Sequence, residues 1–531
     1  MAVRQKAGRN TATDVIVVGA GSAGAATVRR LVDAGLRVTV LEAGPEDAHA
    51  AIHDPTGNVL GLSKTEYDWA YEYVPQAHMD GRVILQPKGR TLGGSSAINA
   101  LVYVRGEAAD YEHWAALGAP GWDWASVEPY FRRLERYSEG AAGGRGVDGP
   151  VGVLRAPRIS PVAEAWLEAA VQAGHRQVED YNSGEMEGAA RTQLTIANGR
   201  RASAWVAYVR PIERSARLKV MTRTTVTNLV FEGERVVGVD YVSERGGSKE
   251  KGRLLANREV VLSAGAVGSP QILMLSGIGD ARELRQLGIA VKVDLPGVGR
   301  NFQDHPKMLM TYETYRPLPP LATALVEGNL FLKSRPGLVA PDLQAAMLNA
   351  VGPVAWRGAP KQGFTVASMV MHPLSRGRVT LRSTNPFDLP LLDPQFFAEP
   401  YDLEVLVDSV EPLRAIAAQA ALRKFVKRQA QPGPELKTRE ELRRFARATT
   451  DSAHHPAGTA KMGVDSLAVV DPELRVYGVQ GLRVADLSVT PALATGNTNG
   501  PAMMIGERAA DFILGRREIL TLEQSLKGRL P

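Results

Sequence analysis

Val15 to Val18 is an unbroken run of β-branched residues between Asp14 and a glycine-rich turn. Such a run predicts a strand buried on both faces, as in a parallel sheet. A helical stretch follows from Ala25 to Ala34, with Gly35 placed as its stop, and Arg37 to Leu41 predicts a second strand ending at Glu42. Apolar runs recur at Val260–Leu262 and in GLRVADLSVTP, Gly481 to Pro491, while VMTRTTVTNLVFE (Val220 to Glu232) also reads as a strand. After Val260–Leu262 comes GAVGSPQILMLSGIG, Gly265 to Gly279, where Ser269–Pro270 predicts a helix start with a capping hydroxyl and a first-turn proline. Residues 160–175 read as helix, and Gly140 to Gly152 as an exposed loop. From 305 to 450, short apolar runs alternate with Pro and Gly turns, as in GRVTLRS (Gly377 to Ser383). That pattern predicts a mixed or antiparallel sheet backed by helices.

The first turn carries Gly19, Gly21 and Gly24 in G-x-G-x-x-G spacing. The first glycine allows the tight turn, the second lets backbone approach a pyrophosphate, and the third lets helix pack on strand. The positive helix end then faces the phosphates. Glu42, about 20 residues past the turn, stands where an acid accepts hydrogen bonds from adenosine ribose hydroxyls. This combination predicts a bound dinucleotide but does not separate FAD from NAD, which share the ADP moiety.

Composition narrows the classes. A chain of 531 residues exceeds the roughly 250–300 at which one core stops growing, so at least two lobes are expected. There is no cysteine, which excludes disulfides, thiolate nucleophiles and thiolate-held metals; no metal site is expected. The net charge of +6 comes from 63 basic and 57 acidic residues spread along the chain, so nucleic acid is not an expected partner. The basic start MAVRQKAGRN has no apolar segment behind it, and Val15–Val28 is too short and glycine-rich for a membrane span. A soluble, cytoplasmic protein is the expectation.

Three further segments resemble the glucose–methanol–choline (GMC) family of FAD-dependent oxidoreductases, in its choline dehydrogenase-like branch: GRTLGGSSAIN (Gly89 to Asn99), the Gly265–Gly279 segment, and GVGRNFQDHP (Gly297 to Pro306). The resemblance implies an α/β fold: a Rossmann-like FAD lobe from residues 1–155, 215–300 and 455–531, and a discontinuous substrate lobe from 156–214 and 301–454. It implies cofactor contacts at Gly19, Ala20, Gly21, Ser22 and Gly24, and at Glu42 and Ala43. Further contacts fall at Arg90, Leu92, Gly93, Gly94 and Ser95, at Asn99, Ala100, Leu101 and Val102, and at Val226, Asp486, Leu487, Asn497 and Thr498. Small residues in the Gly89 stretch suit a planar, anionic cofactor, because main-chain N–H groups reach it unobstructed. Asp68–Trp69 opens a polar stretch that serves either as a lid over the flavin or as packing, and His305 reads as a structural turn histidine.

The same resemblance implies the reacting pair. His455 precedes Pro-x-Gly-Thr in AHHPAGT, and Asn499 precedes the Met-rich helix in GNTNGPAMMIGE; His454 is read as packing and Asn497 as shaping the turn beside the cofactor. An alcohol C–H gives up hydride more readily as its O–H proton departs, so a base with a pKa near working pH is needed, and histidine meets that. A neutral asparagine N–H steadies the oxygen without halting hydride transfer. Choline oxidases of the family attach FAD covalently to a histidine just before the asparagine of the glycine-rich stretch; here that position is Ile98, so non-covalent FAD is expected. The expected reaction is oxidation of an alcohol CH–OH group, with oxygen or a quinone or other carrier as electron acceptor. A non-redox, hydroxynitrile lyase-like activity on the same fold is the alternative.

Overall fold

The structure is a computed structural model that describes residues 13–57, 59–352 and 359–516; the basic segment Met1–Asn10 lies outside them. Its first sheet has the strand Thr13–Val18 near its centre, paired in parallel with Val38–Leu41 on one side and with the end of Ser248–Leu262 on the other. Leu218–Met221 extends it beyond Val38–Leu41, and Leu482–Val484 pairs in parallel with Val260–Leu262. The long antiparallel strands Thr224–Glu232 and Arg235–Arg245 continue from Ser248–Leu262. Val15, Ile16 and Val17 are fully buried, as an apolar run flanked by parallel neighbours requires.

The helix Ser22–Asp33 packs on this sheet, and a second helix packs on that helix. Ser22–Asp33 starts directly at the glycine turn, three residues before the expected Ala25, with Gly21 as its cap residue. Asn499–Ile513 packs against it so closely that a Cβ on Gly506 would lie 2.1 Å from the Ala23 carbonyl oxygen. Thr27 Oγ1 donates to the Gly506 carbonyl, and Arg30 forms a bidentate pair with the buried Glu507. Arg133 reaches the same carboxylate at 2.7 Å, so the buried charge is not left unpaired.

The second sheet is antiparallel throughout. Its order runs Val426–Gln431, Pro306–Thr314, Gly363–Val370, Leu343–Leu348, Val326–Leu332, Gly188–Arg191. Asp451–Ser452 adds a short strand beside Pro306–Lys307, which brings the segment before His455 to the start of the sheet. Helices Pro161–Gln172 and Pro400–Asp408 pack on this sheet. No helix among the described residues is long and apolar enough to cross a membrane.

One expected boundary moves. The helix after Leu262 spans Gly265–Leu275, so Pro270 lies inside it instead of at its start. Pro270 supplies no N–H to the carbonyl four residues back. The Ala266 carbonyl accepts instead from Thr459 Oγ1 at 2.6 Å, and Ser269 Oγ donates to Asp486 Oδ2 at 2.6 Å. The helix is repaired from a distant part of the chain.

Candidate active site

A cleft opens over the ends of the first sheet's parallel strands. Of the residues expected to hold a cofactor, Gly19, Gly21, Ser22, Glu42, Ala43, Gly94, Ser95, Val226, Asp486 and Leu487 line it. The turn is built as its glycines require. Gly19 has φ +100°, and a Cβ on Gly24 would meet the Gly19 carbonyl oxygen at 2.1 Å. Gly94 approaches Gly21 so that a Cβ on it would lie 2.8 Å from the Gly21 Cα, while a Cβ on Gly21 would meet nothing within 4 Å. The glycine cradle therefore faces open space, as a bound pyrophosphate needs.

Glu42 is buried, with Oε2 accepting from the Ala20 N–H and Oε1 from the Gly44 N–H, both at 2.9 Å. Burial pushes its carboxyl up and these backbone donors oppose that, leaving further lone pairs for ribose hydroxyls. Asp486 accepts from the Gly265 N–H at 2.9 Å and from Ser488 N–H at 2.8 Å, so it ties the helix start at Gly265 to the end of the neighbouring strand. Trp69 and Tyr71 stack with ring centroids 5.8 Å apart and both line the cleft, as does Lys88. Burial pulls the Lys88 ammonium down to about 8. Trp69, Tyr71 and Lys88 lie outside the expected contact set, although Trp69 belongs to the stretch expected to form a lid or to pack.

The remaining expected contacts sit around the cleft. Arg90 lies over the Trp69 ring. Leu92 is buried in the core, and the Gly93 N–H donates to the Ala20 carbonyl, joining the two glycine segments. Asn99 Oδ1 accepts from Leu101 N–H and from the buried Arg201, which shapes the loop Asn99, Ala100, Leu101, Val102 with Leu101 at φ +69°. Thr498 directly precedes the helix that starts at Asn499, and its side chain makes no capping bond.

His455 is almost fully buried, and Asp304 holds it in place. One carboxylate oxygen of Asp304 accepts from the backbone N–H groups of His455 and His305, both at 2.8 Å. The other accepts from Tyr73 OH at 2.5 Å, Gln86 Nε2 at 3.0 Å and the Ser452 hydroxyl. This brings the two imidazoles together, with Nδ1 to Nδ1 at 3.0 Å. His305 is thus the ring partner of His455. His454 takes φ +66° and turns its Nδ1 to Gln86 Oε1 at 2.8 Å. Burial, with His305 and Lys88 close by, pulls the His455 imidazole well below its usual value; His305 falls to about 3. Both rings are neutral at neutral pH, which leaves His455 a free lone pair, although burial holds it below the near-neutral value expected of the base.

The asparagine beside His455 is a correction to the expected one. Asn499 occupies the first position of its helix, and its Oδ1 accepts from Ser22 Oγ at 2.7 Å, on the adjoining helix. Asn497 stands in the loop just before, where Thr495 N–H is bound to Asp110 and Gly496 N–H to the Met371 sulfur. From there Asn497 Nδ2 lies 3.3 Å from His455 Nε2. The helix start therefore turns Asn499 towards the dinucleotide turn and leaves Asn497 beside the histidine.

The parallel-strand cleft carries the dinucleotide turn, and Pro456, next to the buried His455 that Asn497 approaches, is on its wall, an arrangement that suits a dinucleotide-dependent oxidoreductase. The GMC oxidoreductase family models match residues 13–307 and 373–506. The mitochondrial choline dehydrogenase of Homo sapiens is 42% identical over 535 residues, covering 94% of this chain and 89% of its own. The oxygen-dependent choline dehydrogenase of Brucella anthropi is 39% identical over 542 residues, covering 96% and 97%. Among solved structures, pyridoxine 4-oxidase from Mesorbium loti superposes with a TM-score of 0.89 at 31% identity, covering 94% of this chain and 98% of that one. The chain belongs to the GMC oxidoreductase family. It is an FAD-dependent oxidoreductase acting on CH–OH donors, and the lyase alternative is not favoured.

Proposed function

We propose that the protein oxidises a small primary alcohol of the choline type to its carbonyl, with His455 as general base and Asn497 as hydrogen-bond partner of the alcohol oxygen. The carrying observation is the Asn497 Nδ2 to His455 Nε2 approach of 3.3 Å. An N–H pointing at Nε2 requires a lone pair there, so the proton of neutral His455 sits on Nδ1, towards His305. An alcohol oxygen set against both groups gives its proton to Nε2 and accepts the Asn497 N–H. As the proton leaves, electron density on oxygen weakens the carbinol C–H bond. FAD, when bound, supplies the two-electron acceptor for that hydride. Glu42 and the glycine turn serve its ADP half, and Ile98 in place of a histidine supports non-covalent attachment.

The choline class rests on the relatives at 42% and 39% identity. Oxygen is the acceptor we favour, after the oxygen-dependent relative, and the cytoplasm the location. Anaerobic titration of the purified flavoprotein with choline tests the substrate: bleaching of the flavin bands, and their return in air, are expected. Flavin that bleaches with other primary alcohols and not with choline removes the substrate class. Flavin that no alcohol bleaches removes the redox reading.

A further inference from the structure

The pair does not stand alone. Behind Asn497, the second sheet presents two carboxamides from neighbouring strands, Asn329 of Val326–Leu332 and Gln344 of Leu343–Leu348. Both are fully buried, as is Thr192 beside them. Asn329 Nδ2 donates to Thr192 Oγ1 at 2.9 Å. Gln344 Nε2 donates to Asn329 Oδ1 at 2.9 Å and to Asn497 Oδ1 at 3.2 Å. Gln344 Oε1 is buried with no hydrogen-bond partner among the described residues. A buried carbonyl left unpaired is costly, and native structures keep such groups where something else is gained.

We infer that Gln344 is a positioning residue for the reaction: it sets which way the Asn497 carboxamide faces, and through it which nitrogen of His455 is free. The inference rests on the pairing of His455 with Asn497 described above. A carboxamide has one accepting and one donating end, and a turn of the terminal torsion exchanges them at little intrinsic cost. Gln344 offers an N–H to Asn497 Oδ1, so the oxygen stays on the sheet side and Nδ2 stays on His455 Nε2. That N–H selects the His455 form with its proton on Nδ1, the form able to take a proton from an alcohol. With the carboxamide reversed, Asn497 Oδ1 would instead select a proton on Nε2, and the base would be blocked. The ionisable groups acting most on His455 are His305, His454, Lys88 and Lys307, with Asp304 on its backbone N–H, and the side-chain hydrogen bonds of Gln344 go to Asn329 and Asn497 instead.

The test compares wild type with Gln344→Met, which keeps the chain length and removes the N–H. Nitrogen-15 histidine NMR of the holoenzyme, with the His455 signals identified by their loss in His455→Ala, reads the ring directly. Wild type should show a single form protonated on Nδ1, and Gln344→Met a mixture. With the alcohol that bleaches the flavin, kcat of Gln344→Met should fall about tenfold with KM within about twofold. The acid limb of its kcat/KM profile should move up, because a donor opposing protonation of Nε2 is less firmly held. In an Asn497→Ala background, Gln344→Met should cost nothing further, since its effect passes through Asn497. Should Gln344→Met fail to retain flavin, Gln344→Leu replaces it: its apolar side chain has no donor to offer Asn497, and the same changes are expected. An unchanged His455 spectrum and pH profile in a flavin-bound variant overturns the inference, as do losses that multiply in the double variant. A harmless Asn497→Ala instead brings down the reading of the pair itself.

Discussion

The repair of the helix Gly265–Leu275 gives a prediction with a worked magnitude. Pro270 leaves the buried Ala266 carbonyl without its helical donor, and Thr459 Oγ1 takes the place at 2.6 Å. Thr459→Val keeps the side-chain shape and leaves that carbonyl without a donor, at a cost of about 1–3 kcal/mol. With an unfolding entropy of ~2.1 cal/mol/K per residue, the 531-residue chain shifts by roughly 1 °C per kcal/mol, so Tm should fall by about 1–3 °C. Flavin release on heating, followed by flavin fluorescence, measures it. The decisive comparison adds Pro270→Ala, which returns a backbone N–H to the Ala266 carbonyl. In that background Thr459→Val should cost less than about 0.5 kcal/mol, giving a coupling of about 1–2 kcal/mol between residues 189 apart in sequence. Strictly additive effects would falsify the account of how this helix tolerates its proline.

The remaining predictions are kinetic, steric and electrostatic. His455→Ala should lose about 10²–10⁴-fold in turnover with flavin retained; full activity would remove it as the base. Asn497→Ala should lower turnover more than Asn499→Ala, whereas Asn499→Ala should loosen flavin by freeing Ser22, read as flavin content after dialysis. Gly94→Ala should purify with little flavin, because φ is +51° there and the new Cβ would lie 2.8 Å from the Gly21 Cα; normal flavin absorbance would contradict this. His305 is held at about 3, against ~6.5 in an unfolded chain, so the unfolded chain binds the extra proton first. Stability relative to a His305→Gln variant should therefore fall as pH drops from about 6.5 towards 3, read from urea midpoints; a flat difference would count against it. Acid precipitation should leave the flavin in the supernatant, and a yellow pellet would mean a covalent link.

What the sequence displayed depended on how local each requirement was. Gly19 and Gly24 answer to geometry within a few residues, so their spacing alone announces the turn. The helix start at Gly265 was hidden because its compensation comes from Thr459, which no window around Pro270 contains. The ring contact of His305 was hidden because it arises only when Asp304 gathers two backbone N–H groups 150 residues apart. Asn497 and Asn499 flank the same threonine, and only the position of the helix start tells which turns to His455. Gln344 gave no signal at all, being one polar residue in an otherwise apolar strand whose facing neighbours are set by sheet order.

The packing of Asn499–Ile513 on Ser22–Asp33 bears on how the protein comes into being. Arg30 meets Glu507 across 477 positions of chain, and Ser22 meets Asn499 across the same span. At the roughly 5–20 residues per second of synthesis, the nascent glycine turn waits about 20–100 s for the helix that closes its outer side. Throughout that interval Ala23 and Thr27 lack the helix that Gly506 brings against them, and Ser22 lacks its anchor. Cofactor capture is therefore expected to follow synthesis of nearly the whole chain. A ribosome-stalled chain ending before residue 499 should present an uncovered apolar flank to chaperones and hold no flavin, however completely its first parallel strands have formed.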